Sequence, residues 1–287
     1  MNERSLFKTT VITVISLWFI VFVFVPNILV FGVSFLERHE SNFVTFTFTL
    51  ENYQRIFSSV YFTVFADSFR LAFISMLICL VVGYPFAYRL ARLKGRVKNI
   101  LFMLIIIPFW TSSLIRTYAI MIVLKTNGLL NTVLLGLGII NEPLELLYTG
   151  TAVTIGMVYS LLPFMILPLY ASIEKLDKVY IEAAGDLGAG KIQTFIKIVI
   201  PLTMPGIIAG CTLVFLPSFC LFYIPDLMGG AKDLLIGNLI KNQFLSARDW
   251  PFGSAVSVVL TGIMAVLLFA YYKSTKLVQK AGEKGAV

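Results

Sequence analysis

The chain contains 287 residues, of which 58% are hydrophobic and 13% charged, and its mean hydropathy is +0.89. Soluble domains carry about 25% charged residues, so this composition excludes an ordinary soluble enzyme or binding module and indicates a protein that crosses a membrane several times. The formal net charge of +8 is compatible with a nucleic-acid partner, but the positions of the charges between the apolar stretches account for it without one.

Six apolar stretches follow one another along the chain. A membrane-spanning helix needs about 20 predominantly apolar residues, and the stretches that meet this length are residues 9–35, 67–88, 99–124, 151–173, 203–226 and 254–272. The first has a basic flank, as a signal peptide does, but it is too long for one and no small-residue cleavage site follows it, so we interpret it as an anchor. The sequence therefore predicts an all-α polytopic membrane protein with six transmembrane helices.

The basic residues between these stretches predict the orientation of the chain. If the N-terminus is cytoplasmic, the inner segments hold fifteen Lys and Arg residues and the outer segments hold seven. Cytoplasmic segments carry the excess of positive charge, so both termini are predicted to be cytoplasmic. The chain then divides into an N-terminal anchor helix with an extracytoplasmic loop (1–65), a transmembrane core (66–273) and a cytoplasmic tail (274–287).

Proline residues cluster in and around the third, fourth and fifth stretches. Proline lacks the backbone N–H that a helix requires, and breaks in lipid are tolerated where they are buried in protein or face a wet cavity. We therefore expect these helices to be broken and to line a path. The prolines concerned are Pro108, Pro163, Pro168, Pro205, Pro217 and Pro225.

A charged segment, residues 174–202, separates the fourth stretch from the fifth. Apolar residues recur at three- and four-residue steps between positions 171 and 187, which predicts an amphipathic helix that ends at the glycines of Gly188-Ala189-Gly190. The apolar residues on its face are Ile173, Leu176, Tyr180, Ala183 and Leu187. A second short helix is predicted to follow and to stop at Pro201. Two helices with small residues at their bend suit the docking of a cytoplasmic partner.

The same segment contains most of a phosphate-binding loop, in the run from Gly185 to Lys191. Such a loop follows a β-strand and has a Ser or Thr after its Lys to bind Mg²⁺. Here Ile192 takes that position, the preceding residues are helical in pattern, and no α/β domain is predicted that could supply the strand. The residues therefore argue against direct nucleotide binding.

A longer motif crosses this segment. Glu182-Ala183-Ala184 is followed after three residues by Gly188, and after nine more by Ile-Val-Ile-Pro, which ends at Pro201. This spacing resembles the EAA signature of type I ABC-importer permeases, although the third residue of the last run is Ile where Leu is usual. The resemblance implies that the segment carries a coupling helix that docks on a separate ATPase, with the Glu-Ala-Ala residues and Gly188 at the contact. It also implies a transport subunit and not an enzyme, with no catalytic residue, cofactor or metal of its own.

Residues 108–119, 161–177 and 201–238 are moreover similar to the B-type permeases of spermidine/putrescine importers. This resemblance implies that the chain lies in a bacterial inner membrane and moves polyamines into the cytoplasm. The implied partners are a second, homologous permease subunit, two copies of a cytoplasmic ABC ATPase, an extracytoplasmic polyamine-binding protein and membrane lipid. It implies no nucleic-acid partner.

Four residues are candidates for the substrate pathway: Trp110, beside the break expected at Pro108, and Phe222, Tyr223 and Asp226 at the end of the fifth stretch. A polyamine carries ammonium groups on an apolar chain, so carboxylates and aromatic faces suit it. Tyr223 lies one helical turn before Asp226, so the ring and the carboxylate can share a face. The alternative is that these aromatic residues form an interfacial belt.

Other functions remain open on the residues alone. An importer permease for another small substrate is the first alternative, and an ion-coupled secondary carrier is the second, although no mid-span acid and no internal repeat support it. An intramembrane protease lacks a histidine within a span, since His39 is the single histidine of the chain. Arg116, inside the third stretch, would repel a cationic substrate, and we expect it to cap backbone carbonyls freed at Pro108 or to pair with an acid.

Overall fold

The structure, a computed structural model, describes residues 3–39, 43–230 and 235–284. Within these residues the chain is almost entirely helical, with a single antiparallel hairpin of strands β1 (Leu36–His39) and β2 (Phe43–Phe48). The helices are α1 (Glu3–Phe19), α2 (Val25–Val33), α3 (Glu51–Ile56), α4 (Ser59–Arg92), α5 (Arg96–Ile106), α6 (Ser113–Leu124), α7 (Leu129–Gly136), α8 (Gly150–Glu174), α9 (Val179–Asp186), α10 (Lys191–Thr194), α11 (Ile200–Cys220), α12 (Tyr223–Met228), α13 (Ile236–Leu245) and α14 (Trp250–Lys284). Two π-helical turns, Ile20–Phe24 and Phe195–Val199, and a 3₁₀ turn, Ile107–Trp110, connect some of them.

Six helical segments of the described residues are long and apolar enough to cross a membrane, which confirms the predicted fold class. They are Phe7–Val33, Ser59–Arg92, Ser113–Gly136, Gly150–Glu174, Lys191–Cys220 and Trp250–Lys273. The largest difference from the sequence prediction concerns the third of them, because the stretch 99–124 is divided at the 3₁₀ turn. Pro108 lies in that turn, where its carbonyl accepts hydrogen bonds from the backbone N–H and the hydroxyl of Thr111, at 3.2 and 2.9 Å. The break predicted at Pro108 is therefore confirmed.

The prolines of the fourth and fifth spans do not interrupt their helices, so that expectation was wrong. α8 runs through Pro163 and Pro168, and α11 runs through Pro205 and Pro217. Each proline removes a single backbone N–H, and helices packed against protein neighbours tolerate that loss. In these spans, a proline therefore removes one backbone hydrogen bond of the helix without ending the helix.

The chain divides into two compact units, residues 1–63 with 239–264 and residues 64–238 with 265–287. In the first unit, Asp249 is buried and each of its two carboxylate oxygens has a partner. One oxygen lies 3.0 Å from Nη1 of Arg55, and the other accepts a hydrogen bond from the backbone N–H of Phe252 at 3.1 Å. The Arg55 guanidinium also lies 4.1 Å from the centre of the Phe252 ring. Asp249 thus caps α14 and joins that helix to α3.

The second unit depends on the contact between α8 and α11. Two glycines of α11, Gly206 and Gly210, lie at the closest approach of the two backbones. A Cβ on Gly206 would lie 2.4 Å from the Cβ of Ser172, and a Cβ on Gly210 would lie 2.7 Å from the sulfur of Met165. Small residues four positions apart are typical of close helix pairs in membranes. This pair of glycines fixes how the fourth and fifth spans pack.

The first turn of α5 is joined to the last turn of α8 by polar side chains. Nζ of Lys98 lies 2.5 Å from Oε1 of Glu174, and the Tyr170 hydroxyl donates a hydrogen bond to the same oxygen at 2.6 Å. The Lys98 ammonium also lies 5.4 Å from the centre of the Tyr170 ring. The two helices are therefore connected at the end of α8 that precedes the charged segment.

Candidate functional site

The charged segment begins at a helix break that the sequence prediction missed. α8 ends at Glu174 and α9 begins at Val179, so the continuous helix predicted from 171 to 187 was wrong. The side chain of Asp177 accounts for the new start, because its Oδ1 accepts a hydrogen bond from the Val179 N–H at 3.1 Å. Local bonds of this kind compete with the hydrogen bonds of a continuing helix.

Gly188 ends α9 in a left-handed conformation, with φ of +79°. Its N–H donates to the carbonyl of Gly185, and the N–H of Ala189 donates to the carbonyl of Ala184, both at 2.9 Å. This pair of bonds is a Schellman motif, which satisfies the last carbonyls of a helix and favours glycine at the left-handed position. A Cβ on Gly188 would meet no atom of this chain within 4 Å, so the glycine is required by backbone conformation and not by internal crowding.

The apolar residues of this segment are largely exposed. The Leu187 side chain is 88% exposed and that of Ile192 is 77% exposed, and Glu182 and Ala183 also lie at the surface. Ala184, in contrast, is 5% exposed and faces the rest of its own chain. A surface patch this apolar indicates contact with another molecule.

Pro201 does not stop the second helix, which corrects another prediction. The helix that starts at Lys191 continues through the π-helical turn Phe195–Val199 into α11. In this wider turn the N–H of Ile200 donates to the carbonyl of Phe195, five residues earlier. A π turn placed directly before a proline accommodates the hydrogen bond that the proline cannot make. The segment therefore leads directly into the fifth span.

Phe195 holds the start of the fifth span against α4. Its ring lies edge-on to the rings of Tyr84 and Tyr88, with centroid distances of 5.6 and 6.0 Å. The Tyr84 hydroxyl in turn lies 2.8 Å from the hydroxyl of Thr203. An open groove of about 420 Å³ beside these rings is lined by Tyr88, Ile181, Gly185, Ala189, Lys191, Thr194, Phe195 and Val199.

The fifth span breaks after Cys220 and not at Pro217, where the prediction placed the break. Leu221 is extended, with φ of −64° and ψ of 126°, and α12 begins two residues later at Tyr223. The Phe222 and Tyr223 rings are nearly perpendicular, with centroids 6.2 Å apart. Tyr223 shares α12 with Asp226. The structure thus brings three of the four predicted pathway residues to this break.

Asn238, at the start of α13, is the residue at this break that the sequence analysis did not single out. Its Nδ2 donates to the carbonyl of Phe222 at 3.0 Å and to Oδ1 of Asp226. It follows a glycine in an apolar run, and an amide buried in such a run is the signal that could have identified it.

Trp110 and Arg116 lie apart from this group in their contacts. Trp110 is 80% exposed on the 3₁₀ turn, and within the described residues it makes no ring contact or hydrogen bond with the other pathway candidates. Nε of Arg116 is buried and has no hydrogen-bond partner in the described part of the chain, so this nitrogen does not cap a carbonyl there. Capping or pairing with an acid by the rest of the guanidinium stays a prediction. The described residues contain no group of three or more His, Cys, Asp or Glu side chains placed to hold a metal ion.

The chain is similar to transport proteins over most of its length. Residues 80–281 match the family described as binding-protein-dependent transport system inner membrane component. The spermidine/putrescine transport system permease protein PotB of Salmonella typhimurium is 54% identical over 280 residues, which cover 98% of each chain. The protein of the same name from Escherichia coli is 55% identical over 95% of this chain and 99% of its own.

A solved structure shows the same fold at low sequence identity. The bacterial alginate ABC transporter in complex with an alginate pentasaccharide-bound periplasmic protein contains a chain that matches with a TM-score of 0.78. The two chains are 15% identical, and the match covers 96% of each. The arrangement of helices described above is therefore shared with a chain of that transporter.

Proposed function

Because the chain belongs to the family of inner-membrane components of binding-protein-dependent transport systems, we propose that it is the permease subunit of an ATP-driven importer that moves polyamines such as spermidine and putrescine into the cytoplasm. It is a multi-pass inner-membrane protein. The observation that carries the polyamine assignment is the 54% identity to a spermidine/putrescine permease over 98% of both chains. The match covers nearly the whole chain, including the spans that carry the pathway candidates.

The segment from α9 to α10 couples transport to the ATPase. Glu182 and Ala183 are exposed on α9. Ala184 is buried, and its small side chain lets α9 pack closely against other residues of this chain. Gly188 then reverses the chain, so the exposed Leu187 projects at the turn. A short, apolar projection of this kind fits a cleft in a partner protein, where its burial stabilises the complex.

The break in the fifth span lies on the substrate path. A helix break in a membrane is tolerated beside a cavity, and Phe222, Tyr223 and Asp226 follow this break within five residues of the chain. A carboxylate attracts an ammonium group, and aromatic faces bind cations and pack on methylene groups. Trp110 contributes a further exposed aromatic surface at the break of the third span.

The importer contains more than this chain. We assign it a second, homologous permease subunit, two copies of a cytoplasmic ABC ATPase and an extracytoplasmic polyamine-binding protein. Support for a periplasmic binding protein comes from the family description and from the alginate transporter, whose structure contains one. The second permease subunit would also cover the first span, of which the most apolar part is unburied within this chain.

Reconstitution tests the proposal. The chain would be purified with its co-expressed subunits, inserted into liposomes and supplied with labelled putrescine and the binding protein. We expect uptake that requires ATP inside the liposomes, on the side of the membrane that carries the ATPase. This uptake should stop when the catalytic residue of the ATPase is replaced. Uptake driven by an ion gradient without ATP would identify a secondary carrier instead. ATP-driven uptake of a different small substrate, without any uptake of putrescine or spermidine, would support the importer assignment and overturn the polyamine assignment.

A further inference from the structure

The start of α13 packs tightly into the break of the fifth span. Gly237 permits this approach, because a Cβ there would lie 2.5 Å from the carbonyl oxygen of Cys220. The neighbouring Ile236 is fully buried, and its N–H donates to the hydroxyl of Ser68 on α4 at 2.9 Å. Residues 236–238 are therefore anchored to α4 on one side and to the end of α11 on the other.

This anchoring places the amide of Asn238 against Asp226. Asn238 is 4% exposed, and both acceptors of its Nδ2 group, the Phe222 carbonyl and the Asp226 carboxylate, lie at the break. A flipped amide would put its oxygen against these two acceptors, which is unfavourable, so the orientation of the amide is determined by them. Oδ1 of Asn238 is thereby left buried, with no hydrogen-bond partner within the described residues.

A buried acceptor without a donor destabilises a protein, and most such atoms in native structures are satisfied. Because both polar atoms of an amide are bonded to one carbon, Oδ1 of Asn238 is held within reach of the same carboxylate that Nδ2 contacts. One group that donates several hydrogen bonds and carries positive charge can donate to Oδ1 of Asn238 and also interact with the negative charge of Asp226. A protonated primary amine has three N–H donors on one charged nitrogen.

We propose that Asp226 and Asn238 together bind one terminal ammonium group of the substrate at the break of the fifth span. Asp226 supplies the negative charge, and Asn238 both positions that carboxylate through Nδ2 and accepts a hydrogen bond from the ammonium through Oδ1. This inference rests on the proposed function, since it assigns the site to a polyamine in transit. It adds a specificity-determining residue, Asn238, to the pathway.

The test compares two substrates in the reconstituted complex, with the binding protein saturated by each. One is putrescine, and the other is its amino-alcohol analogue, in which a hydroxyl replaces one terminal amine. The readout is the ratio of the two maximal uptake rates. Asn238→Leu removes both polar atoms, and we expect the preference for the diamine to fall about tenfold, as for the loss of a charge-assisted hydrogen bond. Asp226→Asn should lower the ratio similarly, and the double variant should lower it little further, because the two residues act together.

Two variants separate recognition from folding. Asn52 is a buried amide of the first unit whose Nδ2 donates to the carbonyls of Ser34 and Leu36, so Asn52→Leu makes the same change away from the break and should leave the ratio unchanged. Asp226→Asn has the shape of the native residue and keeps an oxygen that can accept the hydrogen bond from Nδ2 of Asn238. It should assemble and show the lowered ratio even if Asn238→Leu fails to assemble.

Equal losses of both rates in Asn238→Leu, which leave the ratio unchanged, would overturn the inference while leaving the importer intact. An unchanged ratio in Asp226→Asn would also contradict it, because the negative charge assigned to ammonium binding is absent from that variant. If the unmodified complex transports neither substrate, the proposed function itself fails. The two failures are thus distinguished by the unmodified complex.

Discussion

At the scale of single residues, Gly188 carries the most specific requirement in the coupling segment. Its φ of +79° lies where a side chain is strained, yet the space around it within this chain is empty. The conformation, and not the volume, is therefore what selects glycine at this position.

We predict that Gly188→Val abolishes ATP-driven uptake while the chain still inserts and the binding protein still docks. A β-branched residue at a left-handed position costs of order 1–3 kcal/mol, which is enough to unfold the turn of so short a helix. Gly190→Val is the matched control, because Gly190 has φ of −66° and ψ of 160° and nothing within 4 Å of its Cβ position. Gly188→Asn should restore part of the activity, since Asn tolerates this conformation. Normal uptake by Gly188→Val would remove the turn from the coupling role.

A second prediction concerns Lys191, the basic residue of the run that resembles a phosphate-binding loop. The residues before it form α9 and not a strand, and Ile192 follows it. Lys191→Ala should therefore leave the nucleotide affinity of the assembled complex unchanged, as measured by titration with a fluorescent ATP analogue. A large loss of affinity would show that this chain contributes to a nucleotide site.

Gly188, the break at residues 175–178 and Asn238 show which features could and could not be predicted from the sequence at this scale. The position of Gly188 followed from helix periodicity and the preference for glycine at helix ends, both of which are local properties. The break at residues 175–178 did not, because the hydrogen bond that Asp177 accepts from the Val179 N–H competes with an equally local helical pattern. Asn238 was missed because its partners, Phe222 and Asp226, lie 16 and 12 residues earlier in the chain.

At the scale of helices, packing decides what proline and glycine do. The prolines of α8 and α11 were predicted to break these spans, but both helices continue through them. Packing against neighbouring helices lets a helix tolerate the lost hydrogen bond, and periodicity contains no information on neighbours. The break in the fifth span lies instead where Gly237 lets α13 approach Cys220, which is a long-range contact. The bounds of the first, fourth and sixth spans, in contrast, could be predicted within a few residues, because bilayer thickness sets the length of an apolar stretch. The second span, Ser59–Arg92, and the fifth, Lys191–Cys220, begin well before the predicted 67–88 and 203–226, because their helices continue into less apolar sequence.

The glycines of α11 yield a prediction for helix packing. Gly206→Leu should destabilise the protein by about 1–3 kcal/mol or more, because its Cβ alone would lie 2.4 Å from Ser172 and 2.9 Å from the carbonyl of Pro168. Gly262→Leu, in α14, is the control, since a Cβ at Gly262 would meet no atom of this chain within 4 Å. The measurement is the midpoint of thermal aggregation of the purified complex. Equal midpoints for Gly206→Leu and the unmodified complex would contradict the packing assigned to α8 and α11.

At the scale of the whole molecule, orientation is set by charge outside the spans. The excess of Lys and Arg in alternate segments predicts that both termini and the coupling segment are cytoplasmic. The fold itself is compatible with either orientation, because helix packing within the bilayer has no preference between its two faces. The charge distribution is therefore the feature that connects this fold to a direction of transport.

Cysteine accessibility measures this orientation. In a variant without Cys79, Cys211 and Cys220, a cysteine at Lys94 should resist a membrane-impermeant thiol reagent in intact spheroplasts, whereas one at Glu142, between the third and fourth spans, should react. Both positions are exposed in the structure, so burial does not confound the comparison. Lys232, also on the predicted outer side, lies outside the described residues. Reaction at position 94 before the membrane is permeabilised would reverse the topology.

The connection of Lys98 and Glu174 has a mechanical consequence for the transport cycle. Only residues 175–178 separate this ion pair from α9, so we expect a displacement of α9 to move α8. We expect α5 to move with α8, because the ion pair connects these two helices. The two side chains are 25% and 44% exposed, and exposed ion pairs stabilise a protein only weakly. The ion pair therefore stabilises the alignment of α5 and α8 at rest. We expect it to break during the transport cycle, so that the two helices then complete their movements separately.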